Sequence, residues 1–190
     1  TQQTTAKKVD DGWIINGNKS FLTNGVLGAS MYLILAITDE TKDLENSRTV
    51  FILDNKNPGF ENGRVEAFIG MKGCPVGDIY LSDAFVSDQD RLGNINEGME
   101  IGHEAHHTAR FLMGALGSGI IDTALNLSVD YTHERELFGN KMAHLDGVKF
   151  RIADMAMSAQ ASKLIMYHAA WLKDQGKNHK RETTTSKLFG

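Results

Sequence analysis

The sequence predicts an α+β fold, an antiparallel β barrel or sandwich followed by long antiparallel helices. Two observations carry this. From Ala6 to about Val86, short runs rich in β-branched and aromatic residues alternate with Gly, Asn and Asp, as in antiparallel strands joined by turns. From Met99 to about Glu136 no proline occurs, and apolar residues return mostly at three- and four-residue steps. With 190 residues, 41% of them hydrophobic and 23% charged, the chain can bury one large core or two small ones.

In the first half, Asp10-Asp11-Gly12 reads as a turn. Asn16-Gly17-Asn18 reads as a second, joining Trp13-Ile14-Ile15 to a strand over 19–23 as a hairpin, because Asn-Gly tolerates the positive φ of a tight turn. Further strands are expected over 31–38, 49–53 and 79–85. In the second half, Ile101, Ala105, Phe111, Leu112, Ala115, Leu116, Ile120, Ala124 and Leu127 mark one long helix, which Phe138-Gly139-Asn140 ends. Gly114, Gly117 and Gly119 would each weaken it by about 1 kcal/mol in isolation, so a neighbouring helix or a ligand is expected to approach the backbone there. A second helix is expected over 144–174, burying Phe150, Ala153, Met155, Ala156, Ala159, Leu164, Tyr167 and Trp171 before Gly176 stops it; a third opens over 182–190. The expected domains are 1–95 and 96–190.

Net charge is -4, too little positive field to hold nucleic acid or an anionic membrane by charge. The single cysteine, Cys74, cannot form an internal disulfide, and no N-terminal apolar run resembles a signal peptide or a membrane span. A reducing compartment is expected, the cytoplasm. The chain begins without Met and stops within a helix-like segment, so it reads as a fragment.

Four stretches carry a more specific pattern: Asn16-Gly17-Asn18-Lys19-Ser20-Phe21-Leu22-Thr23-Asn24-Gly25, then Gly70-Met71-Lys72-Gly73-Cys74-Pro75-Val76-Gly77, then Thr108-Ala109-Arg110 through Ala115-Leu116-Gly117, and Tyr131-Thr132-His133-Glu134-Arg135-Glu136-Leu137-Phe138-Gly139. In order and spacing they resemble the acyl-CoA dehydrogenase family, with the match continuing into Ala153-Asp154-Met155. The resemblance spans nearly the whole chain. It implies a middle β domain and the first part of a C-terminal helical domain, an incomplete four-helix bundle.

The activity implied is FAD-dependent conversion of an acyl-CoA thioester to its trans-2-enoyl form: a carboxylate removes the α proton while the β hydrogen leaves as hydride to the flavin. By resemblance, Phe21 lies against the flavin ring, the Leu22 backbone contacts it and the Thr23 hydroxyl donates to it. Arg135, Leu137 and Phe138 would hold the pyrophosphate and adenine side of an FAD belonging largely to a neighbouring subunit, arginine because its fork donates two charge-assisted bonds to phosphate. His107, Thr108 and Arg110 would touch the pantetheine and thioester end of acyl-CoA. The implied partners are electron-transfer flavoprotein or a similar acceptor and further copies of the chain, as a homodimer or homotetramer. Acyl-CoA oxidases and flavin monooxygenases share the fold, and these motifs do not separate them.

The sequence also departs from the family. Ala109 stands where one branch carries its catalytic glutamate, so no catalytic residue is assigned, and the base is expected beyond Gly190. Leu145 and Asp146 occupy a His-Gln position that contacts FAD, and a carboxylate there would repel pyrophosphate. His107 replaces a usual Asp and Lys72 a usual Arg. The isolated chain is therefore expected to bind FAD poorly and not to turn over acyl-CoA.

Two readings from other classes compete. His103-Glu104-Ala105-His106-His107 satisfies H-E-x-x-H, in which two histidines one helical turn apart bind zinc and the glutamate activates water. No histidine follows within 108–132 to complete the site, and Glu134, about 27 residues on, would lie about 40 Å away along a straight helix, so no metal ligand is assigned. A non-catalytic assembly domain is the other, its glycine-notched helices suited to packing on a partner subunit.

Overall fold

The structure, a computed structural model, describes residues 3–26 and 28–190, so residues 1 and 2 of the expected first domain lie outside the described residues. It divides into two compact units, Thr1–His103 and Glu104–Gly190.

The first unit holds seven strands: β1 (Thr5–Val9), β2 (Gly12–Thr23), β3 (Met31–Ile37), β4 (Arg48–Asp54), β5 (Phe60–Val65), β6 (Val76–Ser87) and β7 (Arg91–Leu92). They form one sheet in the order β5-β6-β2-β1-β3-β4-β7. Neighbours run antiparallel except β1 and β3, which meet in parallel at Thr5 and Ile37. Alternating residues face one core: Trp13 and Ile15, then Tyr32, Ile34 and Ala36, then Phe51 and Leu53. Trp13 and Phe51 meet with ring centroids 5.4 Å apart although two strands lie between theirs, so the sheet curls around its apolar face, as expected of a barrel-like domain. Trp13 also donates its indole N–H to Asp88, at 2.7 Å, and Asp88 pairs with Lys8.

One expected hairpin is corrected. Asn16-Gly17-Asn18 is not a turn; it lies inside the 12-residue strand β2, where the pairing with β6 slips between Ile15 and Gly17. The Asn16 side chain is tied both ways to Asp83, its Nδ2 donating to the carboxylate at 3.0 Å and its Oδ1 accepting from the Asp83 amide at 2.8 Å. Gly17, at φ 142°, lets β1 come so close that a Cβ would lie 2.7 Å from Thr4 Cα. A bulge and a turn ask for the same residue types. β1 and β5 were not expected; β5 reads FENGRV, with apolar residues only at its ends and so no alternation.

Lys19, beyond the slip, donates to the Leu35 carbonyl at 2.6 Å. Burial, and then the nearby Arg48 guanidinium, lower its pKa to about 8. A folded pKa below the unfolded value of about 10.4 means that folding disfavours the charged amine, so stability from this residue rises with pH between about 8 and 10.4.

The second unit is helical, with α1 (Gly98–Glu134), α2 (Asp146–Asp174) and α3 (Lys180–Phe189). Its α1 residues run from Glu104; residues 98–103 belong to the first unit. Contacts place α2 antiparallel to α1: Lys173 pairs with Glu104, and Lys163 with Asp122. Ser118 and Ser162 hydroxyls meet at 2.7 Å in the buried seam. Here α3 packs on α1 through small residues, for a Cβ on Gly114 would lie 2.0 Å from Ser186 Oγ and one on Gly117 2.2 Å from the Gly190 carbonyl. Gly119 meets nothing within 4 Å. The expected close approach therefore occurs at two of the three glycines.

The end of α1 is also corrected. The helix stops at Glu134, and Phe138-Gly139 form the two-residue turn of a small hairpin between β8 (Glu136–Leu137) and β9 (Asn140–Lys141), with φ of 53° and 76°. Gly176 does cap α2, its amide bonding Lys173 while that of Lys177 bonds Leu172. Of the apolar residues expected to be buried in α2, Phe150, Leu164, Tyr167 and Trp171 are exposed, and Ala159 is buried with Ser162 and Ala169. By length and composition alone α1 could cross a membrane, a property it shares with helices buried among others.

Two outcomes follow for this chain. Chemical denaturation of Gly114→Ala should show a loss of about 1–3 kcal/mol from overpacking against Ser186, while Gly119→Ala should be neutral or gain up to about 1 kcal/mol. Between pH 8 and 10, wild type should gain about 1–2 kcal/mol relative to Lys19→Met, discounting for partial exposure; equal pH slopes would remove the buried-amine account.

Candidate functional site

In the first unit, a second slip in the β2–β6 pairing falls between Lys19 and Leu22. The residue pushed out is Phe21. Its φ is 56°, a left-handed value that costs a bulky residue on the order of 1–2 kcal/mol, and its ring is 64% exposed. Its amide donates to the Asp78 carboxylate on β6, at 3.3 Å. Leu22 turns inward against the core and pairs with Gly77, and Thr23 is exposed. Asn24, also left-handed at φ 57°, closes the segment with its amide on the Pro75 carbonyl at 2.7 Å. The first two sequence patterns thus meet in space. The 70–77 loop lines a cavity of about 400 Å³ with Phe68, Met71, Lys72 and Cys74 on its walls.

In the second unit, Arg135 follows α1 directly and is exposed, with no side-chain hydrogen bond or ion pair among the described residues. Leu137 is half-buried, and Phe138 projects from the hairpin tip, 92% exposed at a left-handed φ. Asp146, the expected source of repulsion, has its carboxylate 3.0 Å from Lys149 Nζ, so its charge is partly offset.

The first turns of the second unit bring His107, Thr108 and Arg110 together. His107 is buried, 8% exposed, and Arg110 lies 3.2 Å from its Nδ1. Lys173 donates to the Thr108 hydroxyl at 2.9 Å and pairs with Glu104, and that hydrogen bond holds the Glu104 carboxyl below the ordinary range. Burial first, then the charges of Arg110, Lys180 and His179, push the His107 imidazole below its ordinary pKa. Sequence reading missed Lys173 and Thr183, which stand 65 and 76 positions from the residues they meet, with no local signal to link them.

The H-E-x-x-H pattern forms no metal centre. His103 Nε2 lies 3.1 Å from Glu45, Glu104 is held by Lys173, and His107 Nδ1 faces Arg110. Among the described residues no group of three or more His, Cys, Asp or Glu side chains could hold a metal.

These features define a two-unit α+β protein whose sheet and helices each hold out aromatic and cationic side chains suited to a large, flat, anionic ligand. Residues 1–84 match the acyl-CoA dehydrogenase middle domain, and residues 96–190 match the acyl-CoA dehydrogenase C-terminal domain. The chain belongs to the acyl-CoA dehydrogenase family. It is 33% identical over 186 residues to the caffeyl-CoA reductase-Etf complex subunit CarC of Acetobacterium woodii, covering 98% of this chain and 48% of that protein. The structure of butyryl-CoA dehydrogenase from Megasphaera elsdenii superposes with a TM-score of 0.94 at 32% identity, over 99% of this chain and 49% of that one. An FAD complex of PigA superposes at 0.92 with 28% identity, over 99% of this chain and 49% of that one. The chain spans about half the length of the curated relatives it matches.

Phe21 and Phe51 differ in what they are for. Replacing buried Phe51 by Ala should cost about 3–5 kcal/mol in urea unfolding, whereas Phe21→Gly should stay within about 1 kcal/mol of wild type, lost contacts being offset by relief of its backbone. A large loss from Phe21→Gly would make Phe21 a packing residue.

Proposed function

We propose that the family-length protein carries out FAD-dependent α,β-dehydrogenation of an acyl-CoA thioester to trans-2-enoyl-CoA, with domains meeting at 95/96. The observation that carries this is Phe21, an exposed aromatic ring held out by a left-handed backbone in the strand that matches the family's flavin segment. The residues present fit FAD. Phe21 offers a ring face for stacking, the Leu22 backbone lies beside it, and the Thr23 hydroxyl is a donor exposed to solvent. In the second unit Arg135 offers its fork to a pyrophosphate, with Leu137 and Phe138 as apolar surface for an adenine. FAD, when bound, accepts the β hydrogen of the substrate as hydride.

His107, Thr108 and Arg110 would orient the thioester end of acyl-CoA, Arg110 through its cationic donors and Thr108 through a hydroxyl that Lys173 already fixes. Ala109 has no group to take the α proton, so the base is a carboxylate other than at this position. Electron-transfer flavoprotein is the proposed acceptor, supported by the relative named as a subunit of an Etf complex. Assembly as a homodimer or homotetramer is supported by the exposed apolar side chains of α2, which no element of this chain covers. The reverse transfer, reduction of a 2-enoyl-CoA, is a second reading, favoured by the relative named a reductase.

The test is the absorbance spectrum of the family-length protein, mixed anaerobically with butyryl-CoA. A flavin band that bleaches supports the reading; a colourless protein, or a flavin untouched by any of a panel of acyl-CoA and enoyl-CoA thioesters, overturns it. The 190-residue chain alone should bind FAD weakly and show no turnover.

A further inference from the structure

The second unit concentrates titratable side chains around one buried imidazole. On α1, Glu104, His107 and Arg110 fall at three-residue steps along one face. Lys173 of α2 reaches Glu104 and Thr108, and the start of α3 brings His179, Lys180 and Thr183. Thr183 is fully buried, its Oγ1 3.4 Å from His107 Nδ1, and the His107 ring meets that of His179 edge-on at 6.0 Å. Arg110 Nη1 stands 3.2 Å from the same Nδ1. A guanidinium donates and never accepts, so Nδ1 must present its lone pair, and the proton of the neutral ring sits on Nε2.

We propose that His107 is the positioning residue for Arg110: its bare Nδ1, fixed where α3 packs on α1, accepts from the guanidinium and holds it in one orientation. This rests on the proposed function for its consequence, since Arg110 is there the donor that meets the thioester end of acyl-CoA. It also makes that contact pH-dependent. A protonated imidazole cannot accept, and it would stand among Arg110, Lys173, Lys180 and His179 with only Glu104 of opposite sign, already paired with Lys173. The folded pKa lies below the unfolded value, so the neutral ring is favoured by folding. Its stabilising contribution is complete above about pH 6.5 and is lost as pH falls through the folded pKa. Arg110 is released over the same interval.

Nitrogen-15 NMR of the 190-residue chain tests the coupling without any substrate. The Nε2–H tautomer is expected for His107, with slowly exchanging Arg110 guanidinium signals that broaden at the midpoint of the His107 titration. His107→Asn keeps an acceptor near Nδ1 and does not titrate, so Arg110 should stay ordered into acid; His107→Leu should free it at every pH. An Nδ1–H tautomer, or an Arg110 equally ordered in a folded His107→Leu variant, overturns the proposal. In the family-length protein, His107→Leu should raise KM for butyryl-CoA about tenfold or more, and His107→Asn should restore it while abolishing the acid dependence. A His107-dependent Arg110 with unchanged KM would uphold the positioning and overturn the substrate contact.

Discussion

The pairing of β2 with β6 is the constraint on which the first unit depends. Both strands are 12 residues long, and their register slips twice, between Ile15 and Gly17 and between Lys19 and Leu22. A slip of one residue moves a side chain from one face of a sheet to the other. Between the slips, β2 can bury Ile15 in the core; after the second, it can turn Leu22 inward while holding Phe21 out. Asn16 with Asp83 fixes the first slip, and Asp78 with the Phe21 amide fixes the second. An ordinary alternating strand could not hold an aromatic ring out and keep its neighbour against the core at this place. The cost is one bulky residue in a left-handed conformation, which the rest of the sheet enforces.

The helical unit is built on a different economy of contact. Its internal seam is made of small residues, Gly114, Gly117, Ser118, Ser162 and Ser186, which let backbones approach closely. Large apolar residues face outward: Phe150, Met157, Leu164 and Trp171 recur every seven residues along α2 and are exposed. Spacing of this kind suits the seam of a helix against another helix. The interior of this unit therefore serves closeness and polar positioning, while its apolar stripe awaits cover from outside the chain.

Much of this was legible in sequence, and the failures have physical causes. The change of period near residue 98 located the sheet and the helices because strand and helix faces repeat differently. Asn16-Gly17 was misread as a turn because bulges and hairpins both ask for residues tolerant of positive φ; only the partner strand, with Asp83 opposite, tells them apart. Phe138-Gly139 was misread the other way, a hairpin turn taken for a helix cap. Periodicity marked Phe150, Leu164, Tyr167 and Trp171 as an apolar face but could not say what covers it. At the candidate site, Phe21, Thr23, Arg135 and Phe138 could be named from their patterns, and all four side chains are exposed. The surroundings of His107 could not, because Lys173, His179 and Thr183 arrive only through packing of α2 and α3.

The central claim is that the second slip exists to present Phe21 to a flavin. Asp78 touches the Phe21 amide, so it probes the presentation and not the stacking surface itself. The direct measurement is the FAD affinity of the family-length protein carrying Asp78→Ala, read by flavin fluorescence, with the unfolding midpoint measured alongside. Loss of about tenfold or more in affinity, about 1.4 kcal/mol, with the sheet still folded is the result this account requires. Wild-type affinity in a folded Asp78→Ala protein would contradict it.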